Sequence, residues 1–359
     1  MKIGILSMQK ILNYGSFLQA FSLKKQLEQR GHDVYFIDIE PGKQISSVCD
    51  AEQATPISSK FDKYFLKRIQ NYFMYSKMSK IHINDYTTYL NTDKKLSNTE
   101  KFDLVVIGSD EVFNCLTPSP WGVSLQLFGK IDNAKKVVTY AASCGATTYD
   151  AVLKAGIADE LKNTIKNISD ISVRDANTFE FVEKLTAKSP TTHLDPVFIS
   201  DYDDYVVEKK FKKPYLLVYA YSNRITNVKE IDAIKKYAKN NNLDILCVGM
   251  QQRWCKNNIC ASAFELLGYV KNAACVVTDT FHGAVFSIKF NKPFCVFVRE
   301  SNNNKLMGLL NTFQLSKRAC TDFDIESILN EEIDFSVANN IILKGRNNFN
   351  QYFNNILGE

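Results

Sequence analysis

The stretch Val276–Ser287, VVTDTFHGAVFS, holds the residue of this chain best suited to acid–base chemistry, His282. An imidazole titrates near neutral pH, so it can serve as hydrogen-bond donor, acid or base. Asp279 and Thr280 precede it, residue types that cap helices, and Gly283 follows. Ala273 to Thr278 is a short apolar run rich in β-branched residues, and Phe281 to Phe290 is an apolar run of helical length. The pattern predicts a strand, a turn and a helix N-terminus, with His282 at the mouth of the turn. In an open α/β sheet that mouth lies at the carboxyl ends of the strands, where ligands bind. The free N–H groups and positive dipole end of a helix there suit a phosphate or a carboxylate. The same spacing also fits a core histidine satisfied by backbone groups.

Other predicted strand ends carry polar, chemically capable residues: Asn13, Asp110, Ser143, Arg174, Asp195 and Arg299. Carboxyl ends of parallel strands converge on one edge of a sheet, so such residues can meet in space. Arg174 stands out, because an arginine at the end of a buried strand can clamp a carboxylate or phosphate through two parallel hydrogen bonds. Each also has a purely structural reading. Arg174 can pair with Asp175 or another neighbour, Asp110 can cap the next element, and Asp195-Pro196 can form a turn. The four histidines, His32, His82, His193 and His282, are scattered without metal-ligand spacing, so no metal site is expected. Gly-x-Ser-x-Gly, Walker-type and Gly-x-Gly-x-x-Gly motifs are absent from the sequence. The chemistry therefore falls to acid–base groups and charge clamps.

The elements that must position these residues alternate. Lys2 to Ser7 reads as a first buried strand, Asn13 to Ser16 as a loop, Phe17 to Arg30 as a helix stopped by Gly31, and Asp33 to Ile39 as a second strand. Residues 41–60 read as a polar loop and Phe61 to His82 as a basic, aromatic helix. Strands follow at Leu104 to Ile107, Val137 to Ala142 and Ile171 to Val173, with a helix at Ala151 to Asn167. After a charge-rich linker from Ser200 to Lys213 the alternation restarts. Strands are predicted at Tyr215 to Tyr221, Leu243 to Val248 and Pro293 to Val298, besides the one ahead of His282. Helices are predicted at Val228 to Lys239, Ser262 to Val270, 304–312 and 332–357. The expectation is two α/β domains, 1–199 and 214–331, with the helix at 332–357 packing back on the first and ligand bound in the cleft between them.

Bulk properties fit that outline. A chain of 359 residues is long for one core, and 45% hydrophobic with 23% charged residues is ordinary for a globular protein. A net charge of +5 is too small to argue for nucleic acid as a partner. Nine cysteines, several inside apolar runs and none in a Cys-x-x-Cys pair, suggest reduced structural thiols and a cytoplasmic location. The first residues lack the apolar run of a signal peptide, and no stretch reaches the roughly 20 apolar residues of a membrane span.

Six segments, in order, carry a resemblance. They are Asn13-Tyr14-Gly15-Ser16-Phe17-Leu18-Gln19-Ala20, Ile107 to Asn114 (IGSDEVFN), Tyr140-Ala141-Ala142-Ser143, Ser172-Val173-Arg174-Asp175, Leu194-Asp195-Pro196 and Thr278-Asp279-Thr280-Phe281-His282-Gly283. Over nearly its whole length the chain resembles the polysaccharide pyruvyl transferase family. It departs from the family's pattern with Glu111 for Gln, Phe113 for Trp, Asp175 for Glu and Thr280 for Arg. The last change removes a cation beside the histidine, so position 280 is not carried over as an anion clamp.

The resemblance implies two Rossmann-like domains facing across a cleft, a glycosyltransferase-B-like fold. It implies transfer of pyruvate from phosphoenolpyruvate to a sugar of a surface polysaccharide or its precursor, as a ketal, with no other cofactor. The family's histidine and first-domain arginine map onto His282 and Arg174, with Asp279 as a third catalytic candidate. Asn13, Tyr14, Gly15, Asp110, Ser143, Asp195, Phe281, Gly283 and Arg299 are the expected substrate-binding residues. Phosphoenolpyruvate carries a carboxylate and a phosphate, which call for cationic clamps and helix N-termini. A nucleotide-sugar glycosyltransferase of the same fold and a non-catalytic saccharide-binding protein are the rival readings. The aromatic and basic stretch 61–82 can lie on an anionic bilayer, which would suit a lipid-linked acceptor and a place at the inner face of the membrane. It fits equally a helix packing its aromatic face on a sheet.

Overall fold

A computed structural model describes residues 1–9, 11–45, 65–92, 100–209, 211–222, 224–299 and 302–359, with backbone alone at 65–73. The chain divides into two compact units, one of residues 1–69 and 86–196, the other of residues 70–85 and 197–359. Each holds a six-stranded parallel sheet with helices between its strands.

The first sheet is made of β1 (Lys2–Leu6), β2 (Asp33–Phe36), β3 (Phe102–Asp110), β4 (Ala134–Ala142), β5 (Ser172–Val173) and β6 (Thr191–Thr192), in the order β2-β1-β3-β4-β5-β6. Its central strands are buried and read as near-continuous apolar runs, as parallel strands covered on both faces must. Ile3, Ile5, Val105, Val106 and Ile107 are fully enclosed. Register aligns the strand ends. Asp110 pairs with Ala142 and Ala142 with Val173, so Ser143 and Arg174 follow one step beyond a common row. The order reverses between β1 and β3, and at such a switch point the loops diverge and leave a crevice.

The second sheet comprises β7 (Tyr215–Tyr219), β8 (Asp244–Val248), β9 (Asn257–Ile259), β10 (Cys275–Thr278), β11 (Phe294–Phe297) and β12 (Ala319–Cys320). Its order is β12-β11-β10-β7-β8-β9. Numbered within the unit this is the 3-2-1-4-5-6 order of doubly wound sheets, read from the other edge. The switch point lies between β7 and β10, whose residues Tyr219 and Thr278 are in register. The long helix Ser336–Leu357 belongs to this unit.

Several elements differ in extent from the sequence reading. The first helix begins at Tyr14, because the Asn13 side chain accepts from the Ser16 amide and caps it; the expected loop is already helix. The helix expected from Ala151 to Asn167 is two, Tyr149–Lys154 and Ala158–Ile165, parted at Gly156, whose φ of 70° is left-handed. The aromatic, basic helix is Phe65–Leu90. Residues 46–60 of the expected loop and 61–64 of that helix lie outside the described residues. Among the described residues no helix is long and apolar enough to cross a membrane.

Candidate functional site

In the second unit the turn after β10 is built from hydroxyls. Thr278 Oγ1 donates to the Tyr219 carbonyl at 2.6 Å and accepts from the Thr280 amide at 3.0 Å. Thr280 Oγ1 accepts from the Gly283 amide at 2.9 Å, so Thr280 is the N-cap of the helix Phe281–Lys289. Gly283 is needed at that point, since a Cβ would collide with Thr278 Oγ1. Here the helix N-terminus is pressed onto the strand end, and only glycine lets the two approach so closely. His282 sits in the first turn, half-buried, with its ring edge-on to Phe281 at 5.2 Å and tilted on Phe286 at 5.9 Å.

Asp279 does not cap the helix, because Thr280 does. Its side chain is fully enclosed, and neither carboxylate oxygen has a partner at hydrogen-bond geometry. Burial pushes its pKa up to about 6. The positive charges of Arg224 and Arg299 oppose that rise, as do the Tyr221 and Asp279 amides, which point toward the carboxylate without meeting bonding geometry. The Asp279 carbonyl accepts from Asn302 Nδ2 at 2.7 Å, and Asn302 Oδ1 accepts from the Arg299 amide at 2.7 Å. These bonds tie the loop after β11 to the turn.

Arg299 forks onto the buried carboxylate of Glu230 through both terminal nitrogens, with Nη2 to Oε2 at 3.0 Å. Nη2 also reaches the Arg224 carbonyl at 3.4 Å. Its charge is thereby matched within the unit, while its side chain keeps 27% of its surface. Arg224 itself is exposed, with its guanidinium over the Tyr221 ring at 5.5 Å.

The first unit gathers the other candidates at the carboxyl edge of its own sheet. Asp110, at φ 75°, ends β3 and accepts from Ser16 Oγ at 2.6 Å. This links the β3 end to the helix that starts Tyr14-Gly15, both buried, across the β1/β3 switch point. Gly108 precedes it at φ 122°, where a Cβ would run into the Tyr140 carbonyl. Ser143 donates to Asp175 Oδ2 at 2.7 Å, and Asp175 caps the helix Ala176–Thr186. Arg174 Nη1 bonds Asp195 Oδ2 at 2.7 Å, with both side chains buried. Burial lowers the Arg174 pKa, but the carboxylates of Asp195, Asp110 and Asp175 outweigh it and the net direction is up. The guanidinium is therefore a permanent cation among acids. His193 is a core histidine, bonded to Ser172 Oγ at 2.8 Å and tilted on Tyr140 at 5.4 Å.

Thus Asp279, Phe281, His282, Gly283 and Arg299 come together in one unit, and Asn13, Tyr14, Gly15, Asp110, Ser143, Arg174 and Asp195 line one edge in the other. Sequence reasoning missed Arg224, Glu230 and Asn302. Asn302 lies near a predicted helix start and could have been found; Arg224 and Glu230 become neighbours of Asp279 and Arg299 only through the pairing of β7 with β10.

The family model described as polysaccharide pyruvyl transferase matches residues 13–301. No curated protein matches the sequence. Among solved structures, the chain is similar to a Staphylococcus aureus MnaA–UDP co-structure at 11% identity and a TM-score of 0.49, over 95% of this chain and 90% of that one. It is similar to a putative UDP-N-acetylglucosamine 2-epimerase from Listeria monocytogenes at 10% identity and 0.49, over 95% and 90%. The glycosyltransferase SnogD from Streptomyces nogalater is 12% identical at a TM-score of 0.43, over 96% and 93%.

Proposed function

The chain belongs to the polysaccharide pyruvyl transferase family, and from that premise we propose that it transfers pyruvate from phosphoenolpyruvate to two hydroxyls of a sugar residue. The observation that carries this reading is the extent of the family match, residues 13–301, which takes in every candidate residue named from the sequence. In the reaction two sugar oxygens bond to C2 of the donor and the C2–O bond to phosphate breaks. One hydroxyl proton ends on the methylene, which becomes a methyl group, and the other leaves with the phosphate. The product is a cyclic ketal that keeps the carboxylate.

That chemistry needs an acid for the methylene and a base for the hydroxyl. His282, in the first turn of the helix that follows β10, is assigned one of these steps. A bound anion is favoured by the first turn of the helix and by the cations beside it. Arg174 adds a fixed positive charge, and Asn13 to Gly15, Asp110, Ser143 and Asp195 are assigned to substrate binding. The acceptor is a saccharide of a surface polysaccharide or its precursor, and one carried on a lipid would suit a protein at the cytoplasmic face of the membrane. Residues 61–82 are assigned the membrane contact.

The test incubates the purified protein with phosphoenolpyruvate and a panel of saccharide acceptors, following phosphate release and the new ketal methyl signal by NMR. Release of both together supports the reading. Consumption of a nucleotide sugar with phosphoenolpyruvate untouched would make the protein a glycosyltransferase, and binding of saccharides without turnover would make it a binding protein. Co-sedimentation with anionic vesicles at low salt tests the membrane contact; no binding there removes it.

A further inference from the structure

The first unit carries a concavity away from the strand ends that hold its candidate residues. A cleft of about 950 Å³ lies at the amino edge of the sheet, where Phe102 begins β3 and Ala134 begins β4. Asp110 and Ser143 stand at the other ends of those strands, a strand length of roughly 25–30 Å away. We propose that this cleft binds a neutral saccharide chain, as a holding site separate from the place of chemistry. The proposal goes beyond the pyruvyl-transfer reading and does not depend on it.

The walls of the cleft are fixed by hydrogen bonds. In the segment after β2 the Gly42 amide donates to the Trp121 carbonyl at 2.7 Å and the Glu40 amide to Gln126 Oε1 at 2.9 Å, while the Lys43 carbonyl accepts from the Val123 amide at 2.9 Å. On β3, Asp103 accepts from the Lys2 amide at 2.9 Å and from Lys135 Nζ at 2.7 Å. A cleft held in this way is formed before a ligand arrives, which spares the cost of ordering it. Its volume falls within the range of small-molecule sites. Phe102, Val123 and Ile157 give its lining buried apolar surface against which the C–H face of a sugar ring can pack.

The charges point to the class of ligand. The lining carries four lysines and four carboxylates, so it has no net charge. Lys135 and Asp103 are spent on each other. Among the described residues Lys43, Lys101 and Lys130 have no ion pair and no side-chain hydrogen bond, and neither do Asp132 and Glu160. Donors and acceptors are thus both available around a cleft without net charge. A sugar hydroxyl is donor and acceptor at once and matches such a lining. A phosphate or carboxylate calls for an excess of positive charge. Ser124, also in the lining, has a buried hydroxyl with no hydrogen-bond partner among the described residues, an unmet group of the kind a bound hydroxyl can satisfy. A polymer held here by one stretch keeps its other residues close to the unit and raises their effective concentration.

The test incorporates fluorotryptophan into the full chain and follows fluorine NMR during titration with neutral tetrasaccharides of glucose, galactose and mannose. Trp121 stands in the cleft wall and Trp254 in the second unit, so the two lines, assigned with Trp121→Phe and Trp254→Phe, report one unit each. The Trp121 line should move saturably with at least one of these sugars. Asp132→Ala with Glu160→Ala, and separately Lys101→Ala with Lys130→Ala, should each weaken that binding by about 5- to 20-fold. Lys256→Ala, on the exposed surface of the second unit, should leave it unchanged. A Trp121 line unmoved by every tetrasaccharide up to about 20 mM overturns the proposal. So does a line that moves with inorganic phosphate or phosphoenolpyruvate and not with the sugars, since the cleft would then be an anion site. Unchanged sugar affinity in both double variants overturns it as well; should one of them not fold, the other decides. Pyruvyl transfer is assayed in parallel. Transfer without sugar binding at Trp121 refutes the proposal alone, and sugar binding at Trp121 without transfer refutes only the pyruvyl-transfer reading.

Discussion

Replacing Asp279 by asparagine should stabilise the second unit, and more so as pH rises. The carboxyl is fully enclosed, lacks hydrogen-bond partners and has its pKa raised to about 6 from an ordinary 3.8. Burial is the largest cause, opposed by Arg224 and Arg299 and by the Tyr221 and Asp279 amides. A raised folded-state pKa means that the fold prefers the protonated form. The stability it lends is whole below the unfolded value and is lost as pH rises through the folded one. Two pKa units correspond to roughly 3 kcal/mol lost in full above pH 7. At pH 5 about half of that loss has already occurred, so the part recovered between pH 5 and pH 8 is about 1.4 kcal/mol. An asparagine amide in the same place is also unsatisfied, but its penalty does not change with pH, so the pH difference isolates the charge. The chain has two tryptophans, Trp121 in the first unit and Trp254 in the second. Urea unfolding followed by Trp254 fluorescence in a Trp121→Phe background therefore reports the second unit. A stability difference between Asp279→Asn and its parent that is the same at pH 5 and pH 8 refutes the buried-carboxylate argument.

Three further outcomes are expected. His282→Asn should keep phosphoenolpyruvate binding and lose roughly 10²–10⁴ in the rate of pyruvyl transfer, measured as phosphate release; a near wild-type rate would make the histidine structural. Arg174→Met removes the cation that bonds the buried Asp195 carboxylate and should destabilise the first unit by about 3–5 kcal/mol in Trp121-reported unfolding, with much of the loss recovered when Asp195→Asn is added. Gly283→Ala drives a methyl group into Thr278 Oγ1 and should cost about 1–3 kcal/mol in Trp254-reported unfolding; an unchanged midpoint would show that the turn can relax.

The strands that carry the site were legible because parallel, doubly covered strands are written as unbroken apolar runs, as in Cys275–Thr278 and Phe294–Phe297. The helix start at Tyr14 was not, because Asn-Tyr-Gly-Ser has the composition of a turn and only the geometry reveals Asn13 as a cap. The edge strands Thr191–Thr192, Asn257–Ile259 and Ala319–Cys320 are too short to show any period. His282, Asp279 and Arg299 could be named from their places at strand ends. Arg224 and Glu230 could not, because strand order is a long-range property. Nothing local in Tyr221 to Glu230 says that its strand will lie beside β10.

The wiring of Thr280 also bears on what a substitution there would measure. Its hydroxyl serves the Gly283 amide and touches that of Thr278, so an arginine placed there removes a cap worth about 1 kcal/mol before its charge can contribute anything. A charge introduced at 280 therefore starts from a loss in the turn, and a Thr280→Arg variant measures the broken cap and the new charge together.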